Sequence, residues 1–390
     1  MGTFSQRFTI TTFLMLGSFL GPEHWSSYTS AIWLLNVLLS KDDLFIPWRE
    51  VLRSPICILA LGYLGTQALS LIWSENLMNG AQKVSLQMVF VGMVLVGERL
   101  GGYGEKIRKL WILITPAFLL LFMAHSIQGL MNSTKENLRY LEYFRGANFT
   151  EDWGNRIYAS YFFGIALLFV LLDLLLKEKR EAKDYILLTI MSVITGMLDT
   201  RMVIIAVLIS ASLLLMVQLK RKKITFWRAT QVFGLMIGPF ILVNLVFAIY
   251  GGSRFAEISF DDNKKNPRVE EWKAASVLIQ EEPIFGYGKG DENELLYKQY
   301  EKQGFEEGVE MKYNVHNEYL QTFLAGGVFS FLFLAVFFLF ATLYGYRNEY
   351  YPLALLVLFI GFCLITETSF ERHRGVYFFG LALAAANRRR

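Results

Sequence analysis

YLQTFLAGGVFSFLFLAVFFLFATL, residues 319–343, contains no charged side chain. The hydrocarbon core of a bilayer is about 30 Å thick, and a helix needs about 20 mostly apolar residues to cross it. This run is therefore predicted to be a transmembrane helix. Of all 390 residues, 54% are hydrophobic and only 18% are charged, whereas a soluble domain carries about 25% charged residues. The composition excludes soluble, disordered, coiled-coil and disulfide-rich secreted proteins.

Apolar runs of this kind recur along the whole chain. Twelve are found, at 3–20, 26–40, 55–73, 83–97, 110–130, 155–176, 185–198, 201–219, 226–250, 319–343, 352–366 and 375–387. The first lacks a clear small-residue cleavage site, so we expect it to be retained as a helix. The sequence predicts an all-α polytopic membrane protein of about 12 transmembrane helices, with residues 1–390 forming a single membrane domain.

The distribution of lysine and arginine predicts the orientation. With a cytoplasmic N-terminus, 21 basic residues lie in the predicted inner loops and helix ends, and 8 lie in the short outer ones. Cytoplasmic loops of membrane proteins are enriched in lysine and arginine. We therefore expect both termini in the cytoplasm. The net charge of +4 then reflects topology and contact with membrane lipids, and no nucleic-acid partner is expected.

One connection is much longer than the others. Residues 251–315, between the ninth and tenth predicted helices, form one large loop on the predicted outer side, with nine basic and fourteen acidic residues. Long connections inside compact folds are usually functional. Apolar residues at helical spacing from Val269 to Ile279 predict a helix on the membrane surface or over a cavity. Pro283 and the glycines of 286–290 end it.

Ionisable residues at the membrane boundary are the candidates for chemistry. His316 is predicted to open the tenth helix, on one face with Leu320, and the helix dipole there favours a neutral, basic imidazole. The alternative is a histidine that only caps the helix. Arg201, at the predicted outer start of the eighth helix, needs an anion. Its partner is either Asp199 or a carbonyl, or a phosphate held by the guanidinium fork.

Other basic residues are weaker candidates. Arg254 and Arg268 lie in the large outer loop, where a surface salt bridge is the commoner fate of an arginine. Arg372 and Arg374 lie in the last predicted outer loop, which either lines the same cavity or is a solvated turn. The remaining histidines are scattered singly and the two cysteines lie in apolar runs, so no metal site is predicted.

These residues fall into an ordered set of motifs that resembles the O-antigen ligase and polymerase superfamily. The motifs are Thr200-Arg201, then Arg-x-x-x-Trp at 268–272, Pro-x-x-Gly-x-Gly at 283–288, His-Asn-x-x-Leu at 316–320, and Gly326-Gly327. They cover residues 199–330; the first half of the chain is similar only in hydropathy and helix number.

The resemblance implies a metal-independent, cofactor-free glycosyltransferase of C type in the bacterial inner membrane. It implies transfer of a glycan from an undecaprenyl-pyrophosphate carrier to a hydroxyl acceptor at the periplasmic face. His316 is then the catalytic base or acceptor positioner, and Arg201 and Arg268 bind the pyrophosphate. The lower-ranked site residues are Arg254, Asn317, Tyr319, Arg372 and Arg374, and Glu318 and Glu367 are the alternative bases.

Three functions follow, and the sequence ranks them. A ligase for lipopolysaccharide biosynthesis moves a finished polymer onto lipid A-core, and one dominant outer loop favours it. An O-antigen or exopolysaccharide polymerase instead joins lipid-linked repeat units. A transporter of lipid-linked sugars is the distant alternative, since it predicts internal repeats and charges near the midplane, and only Asp173 lies well inside a predicted helix end.

Overall fold

The computed structural model of the protein describes residues 4–19, 21, 23–42, 45–132, 156–177, 180–250 and 266–386. In these residues the regular structure is entirely helical. The helices are α1 (Phe4–Ser18), α2 (Glu23–Leu39), α3 (Trp48–Val51), α4 (Pro55–Leu69), α5 (Leu77–Leu100), α6 (Gly104–Asn132), α7 (Arg156–Leu176), α8 (Ala182–Met197), α9 (Arg201–Lys220), α10 (Phe226–Tyr250), α11 (Pro267–Glu281), α12 (Glu292–Gln303), α13 (Glu306–Glu310), α14 (Glu318–Arg347), α15 (Tyr351–Cys363) and α16 (His373–Ala386).

Many of these helices suit a membrane. Each of the twelve predicted apolar runs contains a helix. Within the described residues, six continuous helical stretches are long and apolar enough to span a bilayer: Pro55–Trp73, Leu77–Gln128, Arg156–Leu176, Arg201–Lys220, Phe226–Ile249 and Glu318–Arg347. The prediction of an all-α polytopic membrane protein is therefore confirmed. The number of twelve spans and the outward position of the large loop stay predictions.

The centre of the bundle is formed by α7 and α16. Nearly every residue of α7 is buried, from Ser160 to Leu175 with few exceptions, and α16 is buried over 374–386. Small residues bring α16 close to α5, because a Cβ added at Gly97 would lie 3.0 Å from the Cα of Ala384. Close backbone approach through small residues is the usual packing mode of membrane helices. Polar residues therefore lie mainly at the ends of these helices.

Helix α14 is interrupted, and another segment of the chain compensates for the hydrogen bonds that are lost there. Gly326 and Gly327 leave helical geometry, with Gly327 at a φ of +66°. The segment 283–290 supplies the missing hydrogen bonds: the amides of 287 and 288 donate to the carbonyls of 324 and 325 at 2.8 and 2.9 Å, and the amide of 328 donates to the carbonyl of 283 at 3.0 Å. A Cβ at Gly327 would collide with the carbonyl of Ile284, so glycine is required there.

The residues between α10 and α14 that the structure describes, 266–317, are called the linking segment below. Its helices α11, α12 and α13 share a small apolar core of their own, formed by Ala274, Ala275, Leu278, Leu296, Tyr300, Phe305, Val315 and Leu324. The predicted helix near 268–279 is confirmed as α11, which begins after Asn266, whose side chain accepts from the amide of 268. The linking segment is therefore a folded unit, seated on α14 through Leu324.

Candidate functional site

A cavity of about 650 Å³ opens where the linking segment meets the bundle. Its walls come from the first turns of α7, α9 and α11, from the residues before α14 and from those after α15. The acidic and basic side chains that line it are Arg156, Arg201, Arg268, Asp199, Glu271, Glu367 and His316. Three residues selected from the sequence, His316, Arg201 and Arg268, thus line one cavity although they are far apart in the chain.

His316 lies outside the helix that it was predicted to open. Asn317 is the N-cap of α14, and its Oδ1 accepts from the amides of Tyr319 and Leu320. His316 precedes this cap with a φ of +46°, so the predicted helical face shared with Leu320 is wrong. The physical reason is that an asparagine side chain satisfies the free amides of a first turn better than a histidine does. A left-handed backbone is uncommon at a histidine. Strained backbone positions of this kind often occur at functional sites.

Glu271 orients the His316 ring. Its Oε2 lies 3.0 Å from His316 Nδ1, and its side chain is 1% exposed while that of His316 is 27% exposed. The Trp272 indole donates to the carbonyl of Val315 at 3.1 Å, which holds α11 against the residue before His316. An ionised carboxylate only accepts hydrogen bonds, so Nδ1 carries the hydrogen. Nε2 of the neutral ring is then left as a proton acceptor.

Arg268 is paired with an acidic residue from a distant part of the chain. Its Nη2 lies 3.0 Å from Glu367 Oε1, with 43% of the arginine and 19% of the glutamate side chain exposed. Burial raises the pKa of Glu367, although His316, Arg268 and Arg372 oppose this effect. Glu367 was only an alternative base in the sequence, and Arg268 was expected to reach a phosphate. In the structure they form an ion pair on the cavity wall.

Two arginines begin the helices on the other side of the cavity. Arg201 is the first residue of α9 and Arg156 is the first residue of α7. The hydroxyls of Ser160 and Thr200 lie 2.6 Å apart and join these two helix starts. Arg156 was not among the site residues predicted from the sequence. The available signal was the one that selected Arg201: a basic residue at a predicted outer helix end, against the charge asymmetry.

Among the residues that the structure describes, the lower-ranked candidates Asn317, Tyr319, Arg372 and Arg374 are not part of the cavity lining. Asn317 caps α14, and the Tyr319 hydroxyl donates to the carbonyl of Gly361 at 3.0 Å. Arg374 is 4% exposed and its Nη2 donates to the carbonyl of Gly21 at 2.6 Å. Arg254 lies outside the described residues. These side chains have structural contacts, or none that the structure describes, so we leave them out of the proposed site.

A second charged group, called the buried ion cluster below, lies away from the cavity. Lys289 Nζ is 3.1 Å from Glu371 Oε1 and 3.6 Å from Glu292 Oε1, and Lys83 Nζ is 2.8 Å from Glu292 Oε1. Burial alone would lower the pKa of Lys289, but Glu371 and Glu292 outweigh it and raise that pKa. This cluster ties the linking segment to α5 and to the residues before α16.

The alternative base Glu318 also lies away from the cavity lining. Its side chain is fully buried and its Oε2 accepts from the amide of Phe370 at 2.9 Å. Within the described residues, no group of three or more His, Cys, Asp or Glu side chains is placed to hold a metal ion. The groups of the cavity lining that can take part in chemistry are a histidine, carboxylates and guanidinium groups.

Comparison with protein families gives one match. Residues 186–335 match the family described as O-antigen ligase. The matched part runs from α8 into α14, and it contains Arg201, Arg268 and His316. Comparison with curated proteins found none that matches this chain. The family match confirms the resemblance that the motifs indicated.

Proposed function

We propose that this chain, whose residues 186–335 belong to the O-antigen ligase family, transfers a glycan from an undecaprenyl-pyrophosphate carrier to a hydroxyl acceptor. The reaction takes place at the periplasmic face of the bacterial inner membrane, with both termini in the cytoplasm and twelve helices in the bilayer. The observation that carries the proposal is a single cavity in which a carboxylate-held histidine faces a site lined by three guanidinium groups.

His316 acts on the acceptor. Nε2 takes the proton of the attacking hydroxyl as its oxygen bonds to the anomeric carbon of the donor sugar. Glu271 keeps the hydrogen on Nδ1 and stabilises the imidazolium that forms, which is the role of the buried acid in histidine-based triads. The sealed position of Glu271 supports this role, because a carboxylate that water reaches poorly interacts more strongly with the ring charge.

The arginines act on the leaving group. The bond between the anomeric carbon and the phosphate oxygen breaks, and the carrier pyrophosphate leaves with the electron pair. Negative charge grows on that oxygen, and fixed guanidinium groups stabilise it without reorganisation. Arg201 and Arg268 bind the pyrophosphate as the family resemblance implies, and Arg156, which begins a neighbouring helix, adds a third positive group.

The acceptor that we propose is lipid A-core, which makes the protein a ligase of lipopolysaccharide biosynthesis. The description of the matched family and the single large folded segment between α10 and α14 favour it. A deletion strain tests the choice through lipopolysaccharide banding. Bare core with accumulated lipid-linked polymer supports the ligase, whereas core bearing a single repeat indicates the polymerase.

His316→Ala tests the chemistry. We expect transfer to fall about 10²–10⁴-fold, the usual loss for a positioned proton acceptor. Protein level should be little changed, and lipid-linked glycan should accumulate because the arginines still bind the donor. The measurement is glycan transfer per molecule of purified protein. His373→Ala is the matched control, since His373 is exposed and only stacks on Tyr377. Full specific activity in His316→Ala would refute the catalytic role.

A further inference from the structure

The Arg268–Glu367 pair poses a problem for donor binding. Both side chains line the cavity, and the guanidinium that we assign to the pyrophosphate already contacts a carboxylate at 3.0 Å. A phosphate oxygen and a carboxylate oxygen compete for the same donor fork. The donor therefore has to replace Glu367 at Arg268, or at least share the fork with it.

We propose that Glu367 is a positioning residue that holds Arg268 in place before the donor binds and releases it to the pyrophosphate when the donor binds. The proposal rests on the proposed function, since it needs a pyrophosphate donor. No covalent bond changes in this step. One ion pair is exchanged for another, and Glu367 takes up a proton from solvent as it loses its cation.

The charges of the cavity explain why the exchange needs that proton. The three lining arginines are matched in number by three lining carboxylates, Asp199, Glu271 and Glu367. A pyrophosphate diester then adds two negative charges to a balanced site. Protonation of one carboxylate restores part of the balance, and it removes the repulsion between that carboxylate and the phosphate.

Glu367 is the carboxylate best placed to change. Glu271 is committed to His316, and Asp199 is 1% exposed in the tight turn before α9. Glu367 follows α15 in a non-helical connection, and its partner is 43% exposed. The charged groups that face it are Arg268 and Glu271 from α11, His316 from the residues before α14, and Arg372 from the turn before α16.

The direction of the pH effect follows from the pKa of Glu367, which burial raises. Above that pKa the carboxylate is ionised and competes for Arg268. Below it the carboxyl is neutral and the guanidinium is free. Donor affinity should therefore rise as the pH falls through the pKa of Glu367. Other titratable groups also line the cavity, so only the difference between wild type and a Glu367 variant isolates this residue.

The experiment is donor binding to the purified full chain in detergent. The probe is undecaprenyl-pyrophosphate-linked N-acetylglucosamine, a diester whose phosphates stay ionised over the tested pH range. At neutral pH we expect Glu367→Gln to bind it about three- to tenfold more tightly than wild type, as for removal of a competing partly buried charge. The pH dependence of its affinity should be shallower. Glu294→Gln, which neutralises an exposed carboxylate of α12, should match wild type.

Two further variants separate release of Arg268 from simple repulsion. In an Arg268→Ala background, Glu367→Gln should tighten binding much less, because no guanidinium remains to be released. Glu367→Asp keeps the charge on a shorter chain, so it should retain the wild-type pH dependence. If Glu367→Gln does not fold, the pH dependence of donor binding by Glu367→Asp still tests the proposal.

The outcomes are distinguishable. The role of Glu367 is wrong if wild type binds the probe and Glu367→Gln binds it no more tightly. It is also wrong if Glu367→Gln raises the affinity equally with and without Arg268. In both cases the proposed function stands. Failure of wild type and His316→Ala alike to bind the probe would overturn the donor assignment, and the role of Glu367 with it.

Discussion

Two sets of charged side chains join the linking segment to the bundle, and they differ in access to water. The cavity pair of Arg268 and Glu367 is partly open, with 43% and 19% of its side chains exposed. In the buried ion cluster, Lys289 and Glu292 have no exposed side-chain surface. A ligand can reach the exposed pair and replace one of its partners. The partners of the buried ion cluster cannot be exchanged without loss of the fold. We therefore propose that the exposed acid–base pair serves binding and that the buried one serves assembly.

The neighbourhood of each set supports this division. Around the buried ion cluster, backbone contacts surround the charges: Asp291 accepts from the amides of residues 75 and 76 at 2.7 and 3.0 Å, and the Asn79 amide group donates to the carbonyl of 290 at 2.7 Å. These bonds hold the connection between α4 and α5 against the linking segment. Around the cavity, the lining side chains border an open volume of about 650 Å³.

The largest effect is expected from breaking the buried ion cluster. Lys289→Met removes one of the two cations near Glu371 and Glu292 and leaves only Lys83, at 3.9 and 2.8 Å from them. Removing one partner of a buried ion pair costs about 3–5 kcal/mol. We expect a marked loss of folded protein, measured by size-exclusion profile and thermal melting in detergent. Adding Glu371→Gln should recover part of the loss, since the uncompensated charge is then removed.

Lys298→Met is the control for that variant, because Lys298 is exposed on α12 of the same segment. Its melting temperature should stay close to that of wild type. If Lys289→Met were as stable as this control, the buried ion cluster would have no role in seating the linking segment.

A smaller effect is expected at the cavity, where the fold should survive. Arg201→Lys keeps the positive charge but loses the bidentate fork, and these two groups do not bind phosphate equivalently. We expect transfer to fall about 10- to 100-fold, in line with about 1.4–2.7 kcal/mol of lost phosphate binding, with normal membrane insertion. The measurement is the kinetics of transfer by purified protein at varied donor concentration.

Arg221→Lys is the matched control at the opposite end of the same helix. Arg221 pairs with Glu349 there, far from the cavity lining. Equal activity in the two lysine variants would mean that Arg201 acts only as a point charge or a structural residue.

The smallest effect is expected from Glu271→Gln. The amide oxygen can still accept from His316 Nδ1, so orientation is kept and only the stabilising charge is lost. We expect the maximal rate to fall about tenfold, less than the about 10²–10⁴-fold loss expected for removal of the base itself, with little change in donor KM. Glu270→Gln is the control, since Glu270 pairs with Lys273 at 3.0 Å and does not line the cavity. If Glu270→Gln lost more activity than Glu271→Gln, we would attribute the loss to reduced stability of α11.

The helices and part of the site were predictable from the sequence for one reason. A bilayer excludes charge, so apolar runs mark helices and basic residues at their ends stand out. Arg201 and His316 were selected in this way. The same reasoning misplaced His316 by treating it as helical, because the competition between His316 and Asn317 for the cap depends on local hydrogen bonds that hydropathy does not describe.

The glycine motifs are a second feature that the sequence predicted only in part. The order Pro283, Gly286, Gly288 and then Gly326-Gly327 indicated a family, but it did not indicate that the two elements touch. In the structure the first segment completes the hydrogen bonds that the second leaves open. That relation joins residues about 40 positions apart, and no local pattern in either segment requires the other.

The sequence by itself determined which segments are helices and which cations lie at their ends, because hydrophobicity and charge belong to each residue alone. Only the tertiary structure decided the partners. Glu271 meets His316, Glu367 meets Arg268, and Arg156 faces Arg201 across the joined starts of α7 and α9. Such pairing depends on distances of about 3 Å between atoms, and these distances follow from how the helices pack, not from any single stretch of the chain.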